Sequence, residues 1–176
     1  ILHQIIKFMI YLIGFSGVGK TSIAKKLAKD LNLKYIDTDE LIEKKYKAPI
    51  NKIFEKSGEI YFRKIESDIL KKIKNINIVS CGGGLPCYRN NMDFINNFGR
   101  SIYLKASEDE LLNRLNMSLN NRPLLNQKTD AEKYNYIKNT IRKREKFYIR
   151  ANYIIETDGL MINDVLTKIN SLPITF

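Results

Sequence analysis

The chain has 176 residues, 44% of them hydrophobic, which is enough for one ordered domain with a full core and too apolar for a disordered linker. It carries 30 Lys and Arg against 19 Asp and Glu, a formal net charge of +11, which suits an anionic partner such as a nucleotide, a nucleic acid or a membrane surface. Lys, Asn and Ile dominate throughout, so a compositional bias accounts for most of that charge.

Residues 1–13 are apolar but broken by His3, Gln4 and Lys7, and are too short to cross a bilayer. No membrane association is expected, and residues 1–8 read as a dispensable extension before Met9. His3 is the only histidine, so the body of the chain has no imidazole for acid–base work. Phe8–Ile13 reads as a buried strand, and a helical pattern with Ile23, Leu27, Ala28 and Leu31 on one face follows shortly after. Between them lies Gly14-Phe-Ser-Gly-Val-Gly-Lys-Thr21, a Gly, four free positions, then Gly-Lys-Thr. The glycines permit a turn whose N–H groups face phosphate oxygens, and the helix start adds its positive dipole end. Gly17, Val18, Gly19, Lys20, Thr21 and Ser22 are therefore the candidate nucleotide contacts. Lys20 would reach the β- and γ-phosphates, and the Thr21 hydroxyl would ligate Mg²⁺.

Lys34–Ile36 is a short strand that ends at Asp37-Thr38-Asp39. Strand alternation would point both carboxylates the same way, one to hold Mg²⁺ through water and one to orient or deprotonate a hydroxyl. Either could instead cap the helix expected near Glu40. Helical patterns run over 40–46, 50–56 and 59–74. Arg63 has Glu59 four residues before it and Glu66 three after, so it fits an exposed ion-paired face as well as an anion contact. Ile76–Ser80 is the third strand. It lacks the terminal Asp of a Walker B strand, which leaves Asp37 as the natural metal carboxylate. Gly82-Gly83-Gly84 would let bare backbone approach a ligand. Cys81 and Cys87 suit neither a redox pair nor a zinc site and are expected to be buried thiols in a reducing cytoplasm.

A helix over 90–97 and a strand over 101–104 follow. Ser107 with Glu110 reads as a capping box for the next helix. Residues 117–129 are Asn-rich and aperiodic, a mobile loop whose Arg122 could neutralise a transferring phosphoryl group or simply face solvent. A helix over 130–149 carries the stripe Tyr134, Ile137, Ile141, Tyr148, whose steps of three and four pass through Arg144 and turn it inward. An anionic ligand or a salt bridge would have to partner it there. From Leu111 to Arg150 there are 10 Lys and Arg against 3 Asp and Glu, which suits a lid over polyphosphate or a nucleic-acid face. A strand over 153–155 and a helix over 162–169 complete an alternation that predicts a parallel α/β sheet with helices on both faces, one domain without linker or repeat.

In their order and spacing, Gly14–Thr21, Asp37-Thr38-Asp39, Gly58–Glu66, Gly82–Gly84, Arg122–Leu125 and Arg144 with Tyr148 resemble the shikimate kinase family of P-loop kinases. The resemblance covers nearly everything from Met9 onward. It implies a P-loop kinase domain over 9–176: a five-stranded parallel sheet flanked by helices, a helical substrate-binding region about 38–66 and a mobile lid about 116–128. It implies ATP with Mg²⁺ and phosphorylation of the 3-hydroxyl of shikimate, a small-molecule partner, by a monomer with no nucleic acid. Asp39 would bind the shikimate hydroxyls, including the attacking one. Arg63 and Arg144 would clamp the carboxylate, the backbone at Gly83 and Gly84 would meet the ring hydroxyls, and Arg122 would bridge ATP and substrate. Lys20, Asp39 and Arg122 would carry the chemistry, with Thr21 and, through water, Asp37 at the metal. The chain departs from the family at Leu85-Pro86, in the spacing of Arg114 from Arg122, and at Thr157-Asp158-Gly159, which lacks a basic residue, so no adenine contact is assigned. Two other readings are a kinase of another hydroxy acid such as gluconate, whose family places a His near the second acidic motif, and a non-catalytic nucleotide module with an RNA-binding face.

Overall fold

The structure, a computed structural model, describes residues 9–117 and 128–174. Strands β1 (Met9–Ile13), β2 (Tyr35–Asp37), β3 (Ile78–Ser80), β4 (Gly99–Lys105) and β5 (Tyr153–Glu156) form one parallel sheet in the order 2-3-1-4-5. The described helices are α1 (Lys20–Leu31), α2 (Thr38–Tyr46), α3 (Ile50–Leu70), α4 (Asn91–Phe98), α5 (Glu108–Met117), α6 (Asp130–Tyr148) and α7 (Ile162–Asn170). This is the P-loop kinase fold expected from the alternation and the resemblance.

The strands are apolar because helices cover both faces of the sheet. Ile10 and Leu12 of β1 pack with Ile23, Leu27 and Val165 on one side. Tyr11 and Ile13 pack with Leu70, Ile95 and Tyr148 on the other. A third cluster of Ile42, Ile53, Phe62, Ile65 and Ile69 joins α2 to α3 and holds the helical region beside the sheet. From β1 the chain first builds β2 and β3 on one side, then crosses to β4 and β5 on the other. The crevice outside the carboxyl end of β1 is thus a topological switch point, the place where open α/β sheets bind ligands.

Several boundaries differ from the sequence reading. The helix over 50–70 is broken at Gly58 (φ 77°, ψ 167°), which corresponds to the two predicted helices, and it ends at Leu70 rather than Lys74. A 3₁₀ turn, Leu85–Cys87, follows the glycine triplet with Pro86 at its start. The capping box at Ser107 is only half formed. The Glu110 N–H donates to Ser107 Oγ (3.2 Å), but the Glu110 carboxylate pairs with Arg114 (2.7 Å) and the Ser107 N–H donates to Asp158 (2.9 Å). α5 takes residues 116 and 117 from the span assigned to the lid, and most of that span, with Arg122, lies outside the described residues. Among the described residues no helix is long and apolar enough to cross a membrane.

Candidate active site

The phosphate loop leaves the end of β1 through Gly14, whose φ of 141° and proximity to the Leu104 carbonyl, 2.5 Å from where a Cβ would sit, admit no other residue. Gly19 is the N-cap of α1 and supplies no capping side chain, so the first-turn N–H groups face the loop's interior without one. Lys20 is buried, and its Nζ donates to the carbonyls of Gly14 (2.9 Å) and Phe15 (2.7 Å). Arg114, to which no role was assigned, ties this loop to the segment after β5. It donates to Val18 O (2.9 Å) and Thr157 O (2.6 Å).

Asp37 caps α2 with one carboxylate oxygen and binds two hydroxyls with the other. Oδ1 accepts the N–H groups of Asp39 (2.9 Å) and Glu40 (3.3 Å) and so caps α2. Oδ2 accepts the hydroxyls of Thr21 (2.6 Å) and Ser80 (2.7 Å). The β2–β3 register pairs Asp37 with Ser80, which is why Ser80 stands where a Walker B strand would carry its acid. The expectation that strand alternation aligns Asp37 and Asp39 is corrected. The cap turns the chain into α2 at Thr38, so Asp39 lies in a helix's first turn.

Asp39 nevertheless reaches the triplet, as do both arginines. A Cβ on Gly82 would collide with Asp39 Oδ1 and stand 2.9 Å from Glu66 Oε1. On Gly83 it would stand 3.2 Å from Arg144 Nη1 and 3.3 Å from the Ser16 N–H nitrogen of the phosphate loop. On Gly84 it would collide with the Arg63 guanidinium. The Gly82 N–H is anchored to Thr38 Oγ1 (2.8 Å). Gly84→Ala should therefore push the Arg63 guanidinium off its seat beside Glu66, a displacement that a crystal structure of the variant would show.

The ion pairs of Arg63 do form, to Glu66 (2.6 Å) and Glu59 (3.1 Å), but the face is solvated only at Glu59, 67% exposed: the Arg63 side chain is 14% exposed and Glu66 2%. The guanidinium also lies over the rings of Phe54 and Phe62. Glu66, overlooked as a site residue because its spacing alone signals an ordinary helix pair, has its carboxyl pushed up to about 7 by burial, against the pull of Arg63. Burial and the charge of Asp37 likewise push the Asp39 carboxyl up to about 6, opposed by Lys20 and Arg63. Arg63, Arg144, Glu59, Ile60, Gly84 and Cys87 line a cavity of about 330 Å³. Cys87 is half-buried between that cavity and the core it packs against, whereas Cys81 is fully in that core. A larger cleft of about 600 Å³ between α6 and the ends of β4 and β5 holds none of the predicted site residues.

A phosphate loop and an arginine-lined cavity meet at one backbone triplet. A family model for shikimate kinase matches residues 16–172. The chain belongs to the shikimate kinase family. It is 41% identical over 164 residues to a shikimate kinase of Azobacteroides pseudotrichonymphae, covering 91% of this chain and 96% of that one. Among solved structures it is similar to the shikimate kinase of Bacteroides thetaiotaomicron, with 34% identity, a TM-score of 0.88 and coverage of 93% and 96%. It is also similar to that of Acinetobacter baumannii in complex with shikimate, with 32% identity, a TM-score of 0.82 and coverage of 94% and 92%. The protein is accordingly an ATP-dependent shikimate kinase, and the gluconate and RNA readings are not favoured.

Proposed function

We propose that this kinase transfers the γ-phosphoryl group of Mg·ATP to the 3-hydroxyl of shikimate at the glycine triplet, with Asp39, Arg63 and Arg144 holding the acceptor. The observation that carries the reading is that each glycine of the triplet is backed by one of those three side chains, while Gly83 also abuts the phosphate loop. Arg63 and Arg144 present planar guanidinia suited to a two-pronged contact with the acceptor's carboxylate. Asp39 orients the hydroxyl and takes its proton as the oxygen–phosphorus bond forms and the bond to the β-phosphate oxygen breaks. A carboxyl held near 6 is ionised at neutral pH and still basic enough to accept that proton. Lys20 and Arg122 neutralise the phosphoryl group in transit, so catalysis is positioning and charge stabilisation.

Mg²⁺ fits the cluster of Thr21, Asp37 and Ser80, three oxygen donors of the kind a hard cation prefers, joined by bonds of 2.6 and 2.7 Å. Bound there it would offset phosphate charge. The nucleotide would lie along residues 17–22. A reducing cytoplasm is in keeping with the unpaired thiols of Cys81 and Cys87. ADP release measured with shikimate, with gluconate and with no acceptor tests the reading. Release should depend on shikimate and exceed that with gluconate at least about a hundredfold; equal rates with gluconate would refute it.

A further inference from the structure

α6 carries a buried phenol to the junction of the acceptor clamp and the glycine triplet. Tyr148 is fully buried, and its Oη donates to the Gly83 carbonyl at 2.5 Å. Arg144 lies one turn earlier on the same face, and its charge acts on that phenol. The Arg144 guanidinium also backs Gly83 directly, with Nη1 3.2 Å from where a Cβ would sit. The Tyr148 ring packs against Tyr103 of β4, with centroids 5.0 Å apart, and the Tyr103 hydroxyl donates to Glu145 of α6 at 2.9 Å. Packing therefore fixes the ring, and the ring fixes the direction of its hydroxyl. Burial keeps the phenol neutral and a donor at any physiological pH.

We infer that the Tyr148 hydroxyl is a positioning group for the acceptor: it sets the Gly83 carbonyl and the Arg144 guanidinium in one fixed relation. A glycine pair has wide freedom in φ and ψ. Once the Gly83 carbonyl is tied to Tyr148, the planar trans peptide turns the Gly84 N–H to the opposite side, so one bond orients both polar groups of that unit. The same bond joins α6, which carries Arg144, to the backbone that abuts the phosphate loop. Tyr148 itself touches neither substrate. Its effect passes through two groups that the proposed function assigns to shikimate, and the inference rests on that reading.

Tyr148→Phe keeps the ring and its stack and removes only the hydroxyl. It should raise the KM for shikimate about tenfold, the cost of one well-placed hydrogen bond, while kcat and the KM for ATP stay within about twofold. Tyr103→Phe loses a hydroxyl from the same stack but touches neither Gly83 nor Arg144, and all three constants should stay within about twofold. In the Arg144→Lys background the Tyr148→Phe effect should shrink, because the two side chains share one task. Amide hydrogen exchange of the segment containing Gly83 and Gly84 should speed up in Tyr148→Phe and not in Tyr103→Phe, whichever acid the enzyme accepts. An unchanged KM for shikimate, an equal loss with Tyr103→Phe, full additivity with Arg144→Lys, unchanged exchange or an unfolded Tyr148→Phe would each overturn the inference. A wild-type enzyme that ignores shikimate would instead refute the proposed function and leave the exchange result to judge Tyr148.

Discussion

Asp39→Asn should lower turnover at saturating ATP and shikimate by about a thousandfold, within the range expected when a positioned base is lost. Asn can still accept a hydrogen bond from the hydroxyl, so the KM for shikimate should change far less than kcat, and a variant retaining a tenth of wild-type turnover would remove Asp39 from its role. The pH profile supplies an independent check. With its carboxyl at about 6 in the free enzyme, wild-type kcat/KM for shikimate should fall tenfold per unit below that pH, and the fall should vanish in Asp39→Asn. Stability should move the other way. The folded protein holds the Asp39 proton more tightly than the unfolded chain, so the associated stabilisation is present below about pH 4 and is lost as pH rises through about 6. Asn has no charge to bury. The melting temperature of Asp39→Asn relative to wild type should therefore rise between pH 4 and pH 8, a gain in stability at the expense of activity.

Much of this site was legible in the sequence because short-range rules govern it. Gly14–Thr21 announces a phosphate loop through spacing and context. Arg144 betrays its inward orientation because the steps of its helix pass through it, and in the structure it reaches the triplet as that stripe demands. Asp39 was singled out for a reason that does not hold. Alternation along a strand was invoked, yet Asp37 caps α2 and Asp39 reaches the glycine triplet from a helical turn. Ser80 and Glu66 were passed over, because a serine in place of an expected acid and a glutamate at ion-pair spacing gain meaning only from partners remote in the chain. Ser80 needs Asp37, 43 residues away. Tyr148, quoted as part of a motif, needed its contact with Gly83, 65 residues away, before a role could be argued. The family resemblance implied five parallel strands but the strand order was not predicted, since it depends on which strands pair.

Lys20→Ala should reduce kcat about a thousandfold or more, as expected for removing a cation from a transferring phosphoryl group. Lys20 also braces the loop, with Nζ joining two successive carbonyls at 2.9 and 2.7 Å. The variant should therefore bind ATP more weakly as well, its KM for ATP rising about tenfold, while the KM for shikimate is little changed. Far-UV circular dichroism should match wild type, with a melting temperature a few degrees lower from the lost hydrogen bonds. Turnover within tenfold of wild type would mean that the loop's amides alone stabilise the phosphoryl group.

The triplet at Gly82–Gly84 offers no side chain, and the space each missing Cβ would need is crowded by Asp39, Arg144 or Arg63, the residues proposed to hold the acceptor. An inhibitor packed chiefly against that closely walled peptide would leave the organism few escapes there. Any replacement that blocked the drug would also evict Asp39, Arg144 or Arg63 from its post. Resistance would have to arise on the surrounding helices, where changes are better tolerated and easier to anticipate in design.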